Sequence, residues 1–155
     1  LSTAAMNTIV TLSELTSLNL SGCAVAEIDA LIGLQKLETL DLSNNTVSDL
    51  TALSALLALR ELNLTNNPIT SLSNLKNCTE LETLYAGQCA ITRVAGLADH
   101  TKLKTLVLSG NKITDISALA SCTAIETLDL SGNSISDISS SSSGTKHLAL
   151  SSGNR

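Results

Sequence analysis

The sequence has almost no aromatic residues: one Tyr, no Phe and no Trp in 155 residues. An interior without rings has to be assembled from Leu, Ile, Val and Ala through many small aliphatic contacts. Charge is scarce as well. Charged residues make up 15%, against roughly 25% in an average domain, and Ser and Thr take the polar positions instead. Basic residues are in deficit, with 9 Lys and Arg against 14 Asp and Glu and a net charge of −5. This argues against nucleic acid, which requires a basic footprint, and mildly favours a basic patch on a protein partner. No apolar run approaches the ~20 residues that cross a bilayer. The positive mean hydropathy therefore belongs to buried columns rather than to a membrane span.

Catalytic groups are equally thin. The two histidines are His100 and His147. His147 could be drawn towards Asp129 and Ser109, but nothing positions a nucleophile or an oxyanion site. No Gly-rich phosphate loop is present. An enzyme is not expected, nor is a cofactor.

What the chain does have is a period. Leu103–Ile116 reads L-x-x-L-x-L-x-x-N-x-I-x-x-I, and the same frame starts at Leu15, Leu37, Leu59, Leu81 and Ile125, 22 residues apart. Six units, 15–36, 37–58, 59–80, 81–102, 103–124 and 125–146, make one solenoid in which each repeat packs only on its neighbours. The L-x-L step has strand periodicity. It points Leu18/Leu20, Leu40/Leu42, Leu62/Leu64, Leu106/Leu108 and Leu128/Leu130 inward and predicts one parallel sheet on the concave face. The second half of each unit has apolar residues at every third position, as in Val47, Leu50, Leu53 and Leu56. That spacing suits 3-10 turns. Glu27, Asp49, Asp115 and Asp137 recur just before these turns and can accept their first backbone N–H groups.

The ends depart from the frame. Residues 1–14 read as the convex half of a repeat, with Met6, Ile9 and Leu12 matching Ile28, Leu31 and Leu34. The last unit loses its leucines to Ser139–Ser143, and a seventh strand, HLAL, arrives about two residues early. The chain opens mid-repeat without Met, and neither end reads as the polar cap that a solenoid needs. The expectation is one domain over 1–155, with 147–155 a truncated last repeat, cut from a longer polypeptide or assembly.

Four cysteines, Cys23, Cys78, Cys89 and Cys122, fall on two columns. Cys78 and Cys122 are two repeats apart, hence about 10 Å at a strand spacing of about 4.8 Å. A disulfide needs Cα atoms within about 7 Å. Four free thiols are expected, which mildly favours a reducing compartment. Cys78, His100 and Cys122 share one column, but the same spacing resists a metal, since zinc holds each sulfur at about 2.3 Å. Cys23, Asn45, Asn67, Cys89, Asn111 and Asn133 form a second column, where buried Asn can bridge the backbone of successive turns. Asn19, Asn44, Asn63 and Asn77 each open an N-x-S/T acceptor pattern. Sugars on Asn19 and Asn63 would obstruct the sheet, which favours an intracellular or bacterial setting.

The segments LETLDLSNNTVSDLTAL, LRELNLTNNPITSLSNL, LKTLVLSGNKITDISAL and IETLDLSGNSISDI resemble the 22-residue leucine-rich repeats of the protein phosphatase-1 regulatory subunit and of internalins. KHLALSSGN at 146–154 resembles a leucine-rich light chain of axonemal dynein. Ala86 departs from the pattern, standing where a strand Leu is expected and predicting a gap or a shift in the fourth repeat. The resemblance implies an α/β fold: a right-handed leucine-rich-repeat solenoid with a curved parallel sheet inside and 3-10 or short helical turns outside. It also implies a non-enzymatic scaffold that binds proteins or peptides on the concave sheet.

On that sheet the alternation exposes the row Asn19, Asp41, Asn63, Tyr85, Val107, Asp129. The single aromatic lies mid-array beside an exposed Val. Tyr is enriched at interface hot spots, and the expected contact set is Tyr85 and Val107 with Asp41, Asn63, Asp129, Glu61 and Thr105 around them. Six acids, Glu38, Asp41, Glu61, Glu82, Glu126 and Asp129, face only Arg60 and Lys104, which suggests electrostatic selection of a basic partner. The expected role is a cytoplasmic adaptor, regulatory or cytoskeletal/ciliary component. The alternative is a cell-surface recognition or adhesion segment of the internalin type.

Overall fold

The structure, a computed structural model, describes residues 1–141 and 143–150. Seven three-residue strands form one parallel sheet in sequence order: β1 Ser17–Asn19, β2 Thr39–Asp41, β3 Glu61–Asn63, β4 Thr83–Tyr85, β5 Thr105–Val107, β6 Thr127–Asp129 and β7 His147–Ala149. The strands are short because only the triplet around the first inward Leu of each L-x-L step runs straight. Beyond it the chain turns through a left-handed residue in every repeat: Gly22, Asn44, Asn66, Gln88, Gly110 and Gly132 all have positive φ. Gly and Asn tolerate that conformation; Gln does not share their advantage.

Adjacent strands pair at the repeat spacing, Leu40 beside Leu62 and Leu62 beside Leu84. The leucines beneath them, Leu40, Leu42, Leu62, Leu64, Leu106 and Leu108, are completely shielded from solvent or nearly so. Ala86 is buried too, and the register across β4 and β5 is unbroken. Of the gap or shift expected in the fourth repeat, the shift does not occur: the Ala86 N–H donates to Val107 O at 2.8 Å, as the Leu64 N–H does to Tyr85 O at 2.7 Å. Backbone pairing holds the register whatever the side chain.

The outer side consists of 3-10 turns at Asp29–Gly33, Thr51–Ala55, Ser73–Leu75, Ala95–Leu97 and Ser117–Ser121. Three of the predicted carboxylate acceptors are in place: Asp49 takes the Thr51 N–H at 2.8 Å, Asp115 that of Ser117 at 2.7 Å and Asp137 that of Ser139 at 2.8 Å. In the third repeat the Ser71 hydroxyl takes the same role towards Ser73, at 3.2 Å. For Glu27 no such bond is formed among the described residues.

The asparagine column is a ladder. Each Nδ2 donates to a carbonyl of its own repeat and to one of the repeat before; Asn45 reaches Leu42 O and Leu20 O, both at 2.8 Å. Its Oδ1 accepts the Val25 N–H at 2.9 Å. Asn67, Asn111 and Asn133 repeat the arrangement. Cys89 substitutes with weak S–H contacts to Leu64 O at 3.4 Å and Gly87 O at 3.5 Å.

The first residues differ from expectation. Instead of a three-spaced convex turn, Thr3–Ile9 form an α-helix, α1, capped by Ser2, whose hydroxyl accepts the Ala5 N–H at 3.1 Å. Ala4, Ala5 and Met6 are strong helix formers, and Met6 packs into the core while Leu12 is left 51% exposed. At the other end β7 pairs with β6 at a spacing of 20, His147 beside Thr127, so the early strand is real. Leu148 and Leu150 are exposed, whereas Leu128 and Leu130 of the preceding strand are buried. Of the 146–154 segment, residues 151–154 lie outside the described residues.

Candidate interaction surface on the sheet

The outward side chains of the strands form parallel rows. In register across the sheet run Asn19, Asp41, Asn63, Tyr85, Val107 and Asp129, followed by Ala149. Tyr85 is 42% exposed and Val107 half-buried beside it. Glu61 and Thr105 lie in the neighbouring row. The fold thus brings all seven sequence-predicted residues onto one face, with Asn63 and Asp129 directly flanking the Tyr85–Val107 pair and Asp41 one strand further out.

The central row has a structural duty that sequence reasoning missed. Asn19, Asp41, Asn63 and Asp129 each accept the backbone N–H two residues on, from Ser21, Ser43, Thr65 and Ser131, at 2.9, 2.8, 3.1 and 2.9 Å. These Asx turns close the strand into the left-handed bend. The signal was available, since Asp or Asn recurs two places before Ser or Thr. Between Asn19 and Asp129, Tyr85 and Val107 are the two members of the row that do not make this bond, so at β4 and β5 the bend forms without it.

Three of the six predicted acids, Glu38, Glu82 and Glu126, are paired with bases, one of which, Lys146, the sequence reading did not count. Arg60 lies 3.9 Å from Glu38 and 3.3 Å from Glu82, Lys104 lies 2.6 Å from Glu82, and Lys146 lies 3.0 Å from Glu126. Glu38, Arg60, Glu82, Lys104, Glu126 and Lys146 alternate in sign along one edge of the sheet. The hydrogen bond and charge of Lys104, with a smaller share from Arg60, hold the Glu82 carboxyl below the usual range. Lys146 escaped the reading because the last repeat is two residues short, which brings it beside Glu126. Asp41, Glu61 and Asp129 are the predicted acids that form no ion pair among the described residues.

The second column of interest is interior. Cys78, His100 and Cys122 are completely shielded from solvent. The thiols donate to Leu53 O at 3.2 Å and Leu97 O at 3.1 Å, and burial pushes the Cys78 thiol up to about 11. His100 Nδ1 lies 3.3 Å from Ala98 O, and its Nε2 has no partner among the described residues. All four cysteines are free, and among the described residues no three His, Cys, Asp or Glu are grouped to hold a metal ion. The imagined approach of His147 to Asp129 fails: β7 sets His147 beside Thr127 and Ala149 beside Asp129.

A parallel sheet with an exposed face, backed by 3-10 turns and laced by buried asparagines, defines a repeat solenoid of the kind that presents a surface for protein contact. The family described as leucine-rich repeats (two copies) matches residues 13–55, 58–99 and 101–143, and the chain belongs to it. Among solved structures, internalin C2 from Listeria monocytogenes is 36% identical with a TM-score of 0.90, covering 92% of this chain and 64% of its own. Internalin F from the same organism is 24% identical with a TM-score of 0.84, covering 98% of this chain and 55% of its own. The plant peptide hormone receptor RGFR1, solved in complex with RGF2, is 22% identical with a TM-score of 0.71 over 83% of this chain and 22% of its own. The last two likenesses concern the fold alone. This chain spans less than two thirds of each of these structures. Among curated proteins, none matches the sequence significantly.

Proposed function

We propose that this chain is a non-enzymatic interaction module that takes a polypeptide partner on its sheet, centred on Tyr85 and Val107, with Asp41, Asn63, Asp129, Glu61 and Thr105 as the surround. One observation carries the reading. Four members of the central row are occupied in closing turns, whereas Tyr85 and Val107 give up that bond and expose an aromatic ring beside an aliphatic side chain. The fold gains little from this exchange, while a partner would gain an apolar anchor. Asp41, Glu61 and Asp129 support a basic group on that partner.

Two settings are proposed. A cytoplasmic adaptor, regulatory or cytoskeletal component draws support from the four free thiols. A surface recognition or adhesion segment draws support from the likeness to internalin C2. A wall anchor and leader in the full-length protein would select the second.

The test compares the intact segment with a Tyr85→Ala, Val107→Glu double variant in affinity capture, with thermal unfolding as a control. The expected result is loss of the captured protein at an unchanged unfolding midpoint. Undiminished capture by the double variant would overturn the reading and leave Tyr85 and Val107 as a cross-strand packing pair.

A further inference from the structure

Consecutive motif positions depart together in the fourth repeat, from Tyr85 to Cys89. Tyr85 stands where most repeats hold the Asn or Asp that closes the bend, Ala86 where they hold a strand Leu, and Gly87 where they hold Ser or Thr. Gln88 stands in place of Gly or Asn at the left-handed residue, and Cys89 in place of a ladder Asn. Each departure gives up something that neighbouring repeats keep: a turn bond, buried aliphatic volume, a hydroxyl, an unstrained backbone or a buried amide. The strands nevertheless stay in register on both sides. Local rules broken together, with no gain to the fold, single out a functional stretch.

Gln88 is the member of this stretch, besides Tyr85, with a group left to offer. It is exposed, at a φ of +52°. Its amide lies where a side chain on Gly110 would stand: a Cβ there would fall 2.3 Å from Gln88 Nε2 and 2.8 Å from Oε1. The amide is thus seated against the next repeat, yet it forms no hydrogen bond among the described residues. Asn44 and Asn66, in the same column, pair with each other, Asn66 Nδ2 donating to Asn44 Oδ1 at 3.0 Å. A side-chain amide carries a carbonyl acceptor and an NH2 donor, the complement of a peptide unit.

We infer that Gln88 is a further contact residue, whose amide pairs with the main chain of an extended polypeptide segment anchored at Tyr85. The inference rests on the sheet reading above and narrows the partner. A folded surface has its peptide groups already paired, whereas an extended segment presents free N–H and C=O groups for a side-chain amide to take. An apolar side chain of the segment meets Tyr85 and Val107. Charge complementarity assigns the segment a Lys or Arg as well: Glu61 and Asp129, on the strands that flank β4 and β5, form no ion pair among the described residues.

The probes are short dye-labelled peptides, each with a central Leu, one Lys at a different position and Ser elsewhere, titrated with the chain and followed by fluorescence anisotropy. Saturable binding of at least one peptide is expected, lost in the Tyr85→Ala, Val107→Glu double variant. Gln88→Gly should weaken it about tenfold, as the loss of two neutral hydrogen bonds implies, while its unfolding midpoint stays level or rises, which separates lost binding from lost folding. N-methylation of the peptide N–H that Gln88 takes should weaken binding to the parent chain and add nothing to the loss in Gln88→Gly. Equal binding by the parent and Gln88→Gly, or losses that simply add, would overturn the inference and leave the sheet reading standing. Failure of every peptide to bind would overturn it too, with the sheet then left to a folded partner. Binding that survives the Tyr85→Ala, Val107→Glu pair would sink the sheet reading itself and this inference with it.

Discussion

Asn67 reaches back one full turn of the solenoid: its Oδ1 accepts the Val47 N–H at 2.9 Å. The same side chain holds Leu42 O and Leu64 O through Nδ2, at 2.9 and 3.0 Å. Asn67→Ala strands these buried groups and should destabilise the chain by about 1–3 kcal/mol. Cys89→Asn should act in the opposite sense, since the fourth repeat lacks the amide that its neighbours use. Urea unfolding midpoints check both; a Cys89→Asn variant no more stable than the parent would count against the ladder's energetic role.

Gln88 has a φ of +52°, where the equivalent residues are Gly or Asn. A residue with a Cβ costs about 1 kcal/mol or more in that region. Gln88→Gly should therefore stabilise the fold by a few tenths to about 1 kcal/mol, after allowing for the added freedom of the unfolded chain. Gly110→Ala should destabilise it, because Gly110 has a φ of +68° and a Cβ there would fall 2.3 Å from Gln88 Nε2. Thermal unfolding of the two variants should shift in opposite directions.

His100 stands in the column that holds Leu34 and Leu56 in earlier repeats, wholly buried and with Nε2 unpartnered among the described residues. Leu fills a similar volume and brings no polar atom. His100→Leu should raise stability by about 1–3 kcal/mol, the desolvation cost of an unsatisfied group. A lower denaturant midpoint would show that the imidazole has a role beyond filling space.

Asp49, Asp115 and Asp137 have carboxyls below the usual range, chiefly through hydrogen bonds from Thr51, Ser117 and Ser139. The unfolded chain takes up these protons first as pH falls. The stabilisation is therefore complete above the ordinary Asp value of about 3.9 and is lost as pH drops through the folded-state values. An Asp49→Asn, Asp115→Asn, Asp137→Asn variant keeps acceptors but removes the titrating groups. Its stability should vary less with pH below about 4 than the parent's, as followed by unfolding at stepped pH.

Much of the architecture was legible because equivalent residues stand 22 apart and adjacent repeats stack in register. Adding 22 to Leu40 gives Leu62, and those two are strand neighbours. The same addition put the seven candidate surface residues on one face. The meaning of the row they occupy was harder to see. Asp41, Asn63 and Asp129 serve their own turns, a bond within one repeat that a comparison between repeats does not reveal.

Sequence alone determined the solenoid, the order and register of its strands and the asparagine ladder, because each depends on a period that is written out in the residues. Tertiary structure decided what happens where the period falters. The shortened last repeat carries Lys146 to Glu126, and the first residues coil into α1. Such outcomes depend on side-chain reach and on which backbone groups find partners in space, and neither quantity is periodic.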